Sequence, residues 1–186
     1  MRIDYTLNCA LQFQYDMTIR KTESADIETI TAIYEHARAF MAEHGNPTQW
    51  GPRKWPPREL ILEDVEQGKS YVCEQDGQIA GTFFYDSGTD VESTYRVMEG
   101  GSWSSDQPYG VIHRIASAGT VRGLGKACIG WALQRCGYLR IDTHKDNVVM
   151  RNLLEKSGFR YCGIIYVENG TSPRLAYDII RNRNEE

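Results

Sequence analysis

TVRGLGKACIGWAL, residues Thr120–Leu133, passes from a glycine-rich loop into an apolar run. Such loops, where they open helices, usually hold phosphates. Unpaired N–H groups and the positive end of the helix dipole face the ligand there. Two standard phosphate loops fail on spacing. A Walker A loop needs four residues between its first Gly and the Gly-Lys pair, then Ser or Thr. Gly119 lies too far from Gly125-Lys126, and Ala127 offers no hydroxyl for magnesium. The dinucleotide fingerprint fails because Cys128 stands at its third Gly and no N-terminal β-α-β unit surrounds it. The pattern that fits is Arg-x-x-Gly-x-Ala, from Arg122 through Gly123, Leu124, Gly125 and Lys126 to Ala127. Small residues let a pyrophosphate approach the backbone, Arg122 and Lys126 add charge, and no metal is needed.

Working outward, GVIHRIAS before the loop reads as a strand, and a helix follows the loop to about Cys136. Then come a strand YLRIDTH, a helix DNVVMRNLLEKSG closed by Gly158, and strands FRYCGIIYV and RLAYDII. Upstream, MTIRKT alternates as a strand, and Ser24 is placed to cap a helix with Asp26 and Glu28 in its first turn. Ile27, Ile30, Ile33 or Tyr34, Ala37 and Met41 recur at helical spacing until Gly45 and Pro47. RELILEDVEQG suits a short helix, and SYVCEQ, DGQ and IAGTFFYD a hairpin. Residues 86–109 read as a long irregular loop, a kind usually functional or mobile. The order β-α-α-β-β-β-α-β-α-β-β predicts a mixed sheet with helices packed on it.

A chain of 186 residues suits one domain, and 41% hydrophobic with 25% charged residues suits a globular one. A formal net charge of -4 argues against a nucleic-acid partner. No apolar run reaches the roughly 20 residues a bilayer demands, so no membrane partner is expected. The domain reads as residues 17–181, with a short tail at 182–186. Residues 1–16 read as an upstream addition, an extra strand or a disordered arm. Five cysteines at spacings that match no zinc or redox motif fit a reducing cytoplasm, with no metal expected.

HRIASAGTVRGLGKACIGWAL, RIDTHKDNVVMRNLLEKSGFRYCGII and RLAYDII, in that order, resemble the GNAT superfamily of acyl-CoA N-acyltransferases. The resemblance covers about residues 17–181. It implies an α/β fold of the α+β kind: a mixed, mostly antiparallel central sheet with splayed central strands, flanked by helices. It implies acetyl-CoA as co-substrate. The pantetheine arm would pair with Ile115, Ala116 and Ser117, and the pyrophosphate would rest on residues 122–127. Asn147 matches the family's Asn on that arm, while Arg151, Lys145 and Lys156 are placed by charge alone as contacts to the outer phosphates. Leu154 stands where the family often has its acid tyrosine. That leaves His113 and Tyr161 as catalytic candidates, with His144 and Tyr177 as weaker alternatives. Trp103 and Tyr109 are candidates to line an acceptor pocket, and Glu92, Glu99 and Asp106 to attract a cationic amine. The expectation is a monomeric or homodimeric enzyme that acetylates a small-molecule primary amine. A protein or peptide acetyltransferase and a non-catalytic acyl-CoA-binding module are the alternatives.

Overall fold

A computed structural model describes residues 17–181, so the readings of 1–16 and 182–186 lie outside the described residues. Seven strands form one sheet: β1 Thr18–Lys21, β2 Ser70–Gln75, β3 Gln78–Gly88, β4 Tyr109–Ser117, β5 Tyr138–Thr143, β6 Arg160–Val167 and β7 Ser172–Ile180. Four α-helices cross it: α1 Ile27–Glu43, α2 Arg58–Glu66, α3 Leu124–Cys136 and α4 Val148–Lys156. The strands lie in the order β1-β2-β3-β4-β5-β7-β6. Only β4 and β5 pair in parallel; every other neighbouring pair is antiparallel. Crossing from β4 to a parallel β5 needs a helix, and α3 supplies it.

Strand alternation sorts the side chains into two faces. On one face Phe83, Tyr85, Ile112, Leu139, Ile141 and Tyr177 pack with Cys128 and Ile129 of α3 and with Leu154 of α4. The other face is divided. Toward β2–β4 it carries α1 and α2 through Ile30, Ile33, Tyr34 and Ile61, with Trp50 edge-on to Tyr34. Toward β5–β7 it carries no α-helix among the described residues. The chain between β3 and β4 covers it instead, burying Tyr95 and Tyr109 with Val111, Tyr138 and Ile165.

Two expectations change here. Ser24 does not cap α1. It opens a short 3-10 turn whose cap is Glu23, with reciprocal bonds between Glu23 and Asp26. Arg20 decides this: its Nη1 holds Asp26 at 2.7 Å, and Asp26 in turn accepts the Glu23 N–H at 2.8 Å. The second change concerns residues 86–109. β3 runs on to Gly88, a 3-10 turn spans Ser93–Arg96, and the rest is pinned as a cover. Ser104 donates from both N–H and Oγ to buried Asp178, and Glu99 exchanges backbone bonds with Ile164. Gly101 has no side chain because a Cβ there would lie 1.8 Å from the Cys162 carbonyl oxygen.

Candidate active site

β4 and β5 part company early. Their bridges are Gly110↔Leu139 and Val111↔Arg140, and none follows. The cause lies in β4. Arg114 adopts φ 56, and the register against β3 slips between Ala116 and His113. A left-handed arginine costs about 1 kcal/mol or more. An ion pair from Arg114 to Asp64 on α2, at 2.6 Å, and stacking of its guanidinium 4.6 Å over Phe84 offset that cost. The bulge turns Ile115–Ser117 away from β5 and opens a V between the strands. Ser117 Oγ then accepts the Gly119 N–H at 3.0 Å, bending the chain toward the loop.

The loop ends where α3 begins. Gly123 is the cap residue, with φ 80 and no side chain to bond the helix start. The first intrahelical bond of α3 is Ala127 N–H to the Gly123 carbonyl, at 3.0 Å. The N–H groups of Leu124, Gly125 and Lys126 therefore have no acceptor within the helix. Arg122 and Lys126 are exposed beside them, while Leu124 turns its side chain inward against Gly81. Gly125 has a packing role as well: a Cβ there would sit 2.6 Å from Leu153 Cδ2, so the glycine lets α3 and α4 approach. Asn147 caps α4, its Oδ1 accepting the Met150 N–H at 3.1 Å and its Nδ2 donating to Gln49 at 3.2 Å. Arg151 reaches back to the Lys145 carbonyl at 3.0 Å. Lys156 lies at the far end of α4 from Asn147.

On the opposite face from α3 the V carries a second group. His113 and Asp142 are the opposed residues just past the last pairs, with Nδ1 3.7 Å from Asp142 Oδ1. Tyr95 donates its hydroxyl to the same Asp142 oxygen at 2.8 Å. On the other side of the ring, Nε2 lies 3.2 Å from Glu92 Oε2. That contact is off the N–H axis, so Nε2 is covered without a well-aligned bond. Burial pushes the Glu92 carboxyl up, but His113 and the N–H and hydroxyl of Thr94 outweigh it and hold it down to about 2. Glu92 therefore stabilises the fold fully above its ordinary 4.5, and that part is lost as pH falls toward 2. Glu92→Gln should lower stability at pH 6 and lose most of that deficit by pH 2.5, as read by urea denaturation at the two pH values.

The other candidates fall into different places. Tyr161 is about half exposed, at 49%, on β6 at the sheet edge. β7 stands between β6 and β5, which puts Tyr161 two strands, roughly 10 Å, from the V. Its ring packs edge-on to Tyr177 instead. Tyr109 is buried and its hydroxyl accepts the Glu92 N–H at 3.4 Å. Trp103 donates to the Tyr95 carbonyl at 2.9 Å, under the Arg140 guanidinium at 4.5 Å. Packing thus occupies both rings, and they hold the turn that delivers Glu92 and Tyr95. Glu99 accepts from the Tyr166 hydroxyl, and His144 accepts the Asp146 N–H at 3.3 Å. Tyr95 carried no signal in the sequence: it lies 47 residues from the Asp142 it bonds.

Leu154 is wholly buried among Ile141, Phe159 and Tyr177. A tyrosine there would overpack a filled core, at about 1–3 kcal/mol. Leu154→Tyr should therefore lower Tm and bring no gain in turnover, checked by calorimetry beside an activity assay.

The geometry is that of an open helix N-terminus beside a splayed parallel pair with a polar group on its far face. The sequence profile of the Acetyltransferase (GNAT) family matches residues 30–159, and the chain belongs to that family. A GNAT acetyltransferase from Streptococcus agalactiae superposes with a TM-score of 0.82 at 30% identity, over 92% of this chain and 99% of that one. A putative acetyltransferase from Salmonella typhimurium, whose structure holds its cofactor acetyl-CoA, shares the fold at a TM-score of 0.57 and 19% identity, over 92% and 98%. One from Listeria monocytogenes does so at 0.65 and 19%, over 88% and 94%. No curated protein matches the chain. The protein is an acetyltransferase, and no helix among its described residues is long and apolar enough to cross a membrane.

Proposed function

We propose that the protein transfers the acetyl group of acetyl-CoA to a primary amine of a small molecule, by direct attack within a ternary complex. The observation that carries this reading is the V itself. One of its edges leads into the open N-terminus of α3, and one of its faces carries His113 between two carboxylates. Residues 122–127 would hold the pyrophosphate through backbone N–H groups, with Arg122 and Lys126 beside it. Ile115–Ser117 would pair with the pantetheine arm as an added strand. Asn147 would meet the arm by releasing Gln49, and Arg151 lies on the same helix end.

The amine attacks as its free base, and the nitrogen must then shed one proton as it bonds to the carbonyl carbon. His113 takes the proton through Nδ1, since Glu92 covers Nε2. Asp142 faces Nδ1 and stabilises the imidazolium that forms; the Tyr95 hydroxyl holds Asp142 in place. A backbone N–H near Ile115 would bind the carbonyl oxygen as charge develops on it. A small acceptor is favoured because the chain between α1 and α2 reaches across this face. Gln49 bonds Asn147, and Arg53 pairs with Glu168 of the β6–β7 turn at 3.3 Å, which narrows the approach from that side. The free thiols of Cys73, Cys128, Cys136 and Cys162 accord with a reducing cytoplasm.

The test is thiol release from acetyl-CoA across small amines and N-terminal or lysyl peptides. Turnover on small amines is expected. Turnover on peptides alone would replace the acceptor class, and acetyl-CoA binding with no amine-dependent thiol release would leave a binding module.

A further inference from the structure

Thr143 is the last residue of β5. Its edge toward β7 is paired, with Leu175 in register. Its edge toward β4 is free, because the bridges ended at Val111↔Arg140. Counting on in parallel, Thr143 comes level with the Arg114 bulge, one step past His113 and Asp142. Alternation puts its side chain on the α3 and α4 face with Leu139 and Ile141, opposite His113. The residue is 1% exposed, and its Oγ1 has no hydrogen-bond partner among the described residues. A valine would fill the same volume without leaving a hydroxyl unpaired, so the fold by itself does not explain the threonine.

We propose that Thr143 Oγ1 donates a hydrogen bond to the CoA sulfur as it departs, the role that buried Leu154 cannot fill. This rests on the acetyl-transfer reading above. In that reaction the amine nitrogen bonds to the acetyl carbon, and the C–S bond breaks. The sulfur leaves with the electron pair as a thiolate, and the ammonium proton passes to His113. A threonine hydroxyl is a far weaker acid than a thiol, so it keeps its proton and shares it with the thiolate; solvent protonates the thiolate on release. The V then separates the two duties, with proton removal on the β5–β7 cover side and sulfur stabilisation on the α3 and α4 side. The hydroxyl is sealed from water, a setting in which a hydrogen bond to a developing anion is worth most.

The test compares Thr143→Val and Thr143→Ser with the wild-type full chain, using the best amine from the thiol-release screen. For Thr143→Val, kcat should fall about 10- to 100-fold. KM for acetyl-CoA should stay within about threefold, and Tm should hold or rise, since an unpaired buried hydroxyl is removed. Product inhibition by CoA should weaken, because the thiolate loses its donor. Thr143→Ser should recover most of kcat. Wild-type kcat in folded Thr143→Val overturns the proposal. So does a fall in Tm in Thr143→Val, which would mean the hydroxyl serves the fold, and so does an equal loss of kcat in both variants. The acetyl-transfer reading fails separately, if the wild type releases no thiol with any amine. If His113→Gln keeps full turnover while Thr143→Val does not, the base assignment fails and Thr143 stands.

Discussion

His113→Gln should lower amine-dependent kcat by about 100- to 10,000-fold, the range a lost general base produces. The KM for acetyl-CoA should change little, because the proposed donor contacts lie along β4 and at the start of α3. The imidazole is held from both sides, and glutamine keeps a polar head of similar reach without a basic nitrogen. Glu92 and Asp142 then face an amide rather than a void, so the fold should survive with Tm lowered by only a few degrees. The dependence on pH separates a base from a structural histidine. The variant should lose a limb of the pH–rate profile that the wild type shows. Wild-type turnover in a folded variant would move the base elsewhere. Asp142→Asn is the companion experiment. It keeps a partner for the Tyr95 hydroxyl but removes the charge facing Nδ1, so it should lower kcat by a smaller factor.

Gly123→Val should abolish measurable acetyl-CoA binding, a loss of at least about 100-fold in affinity. Gly123 sits at φ 80, where a β-branched residue is strained by more than about 1–2 kcal/mol. The chain would relieve that strain by unwinding the cap. The N–H groups of Leu124, Gly125 and Lys126 would lose their common aim, and with it the field that a pyrophosphate needs. Gly45→Ala is the matched control. It has φ 83 and open space around the added Cβ, so it carries backbone strain alone and should leave affinity unchanged. Titration calorimetry with acetyl-CoA reads both. Gly125 is the less clean probe, because its first clash is with Leu153, so part of its loss would come from parting α3 and α4.

The order of elements and the loop at Arg122–Ala127 were legible in the chain. Both depend on neighbours in sequence: glycines that permit a left-handed turn, a helical apolar period after them, and alternation in the strands. Wrong spacing alone removed the nucleotide motifs. The Ser24 cap failed because Arg20, from the preceding strand, claimed Asp26 and shifted the cap to Glu23. Residues 89–108 read as a loop because their order comes from distant partners, Asp178 and Ile164 above all.

The site divides the same way. Local sequence determined the proposed donor end, since one turn of backbone leaves its N–H groups free for an anion. Tertiary structure alone decided the proposed reacting end. Glu92, Tyr95, His113 and Asp142 come from three segments, and they meet because a left-handed Arg114, anchored by Asp64 of α2, pries β4 from β5. The same strand order carries Tyr161 to the sheet edge and buries Tyr109 under the cover. Which face a strand residue takes past a bulge, and what crosses over it, depends on contacts between residues far apart in the chain.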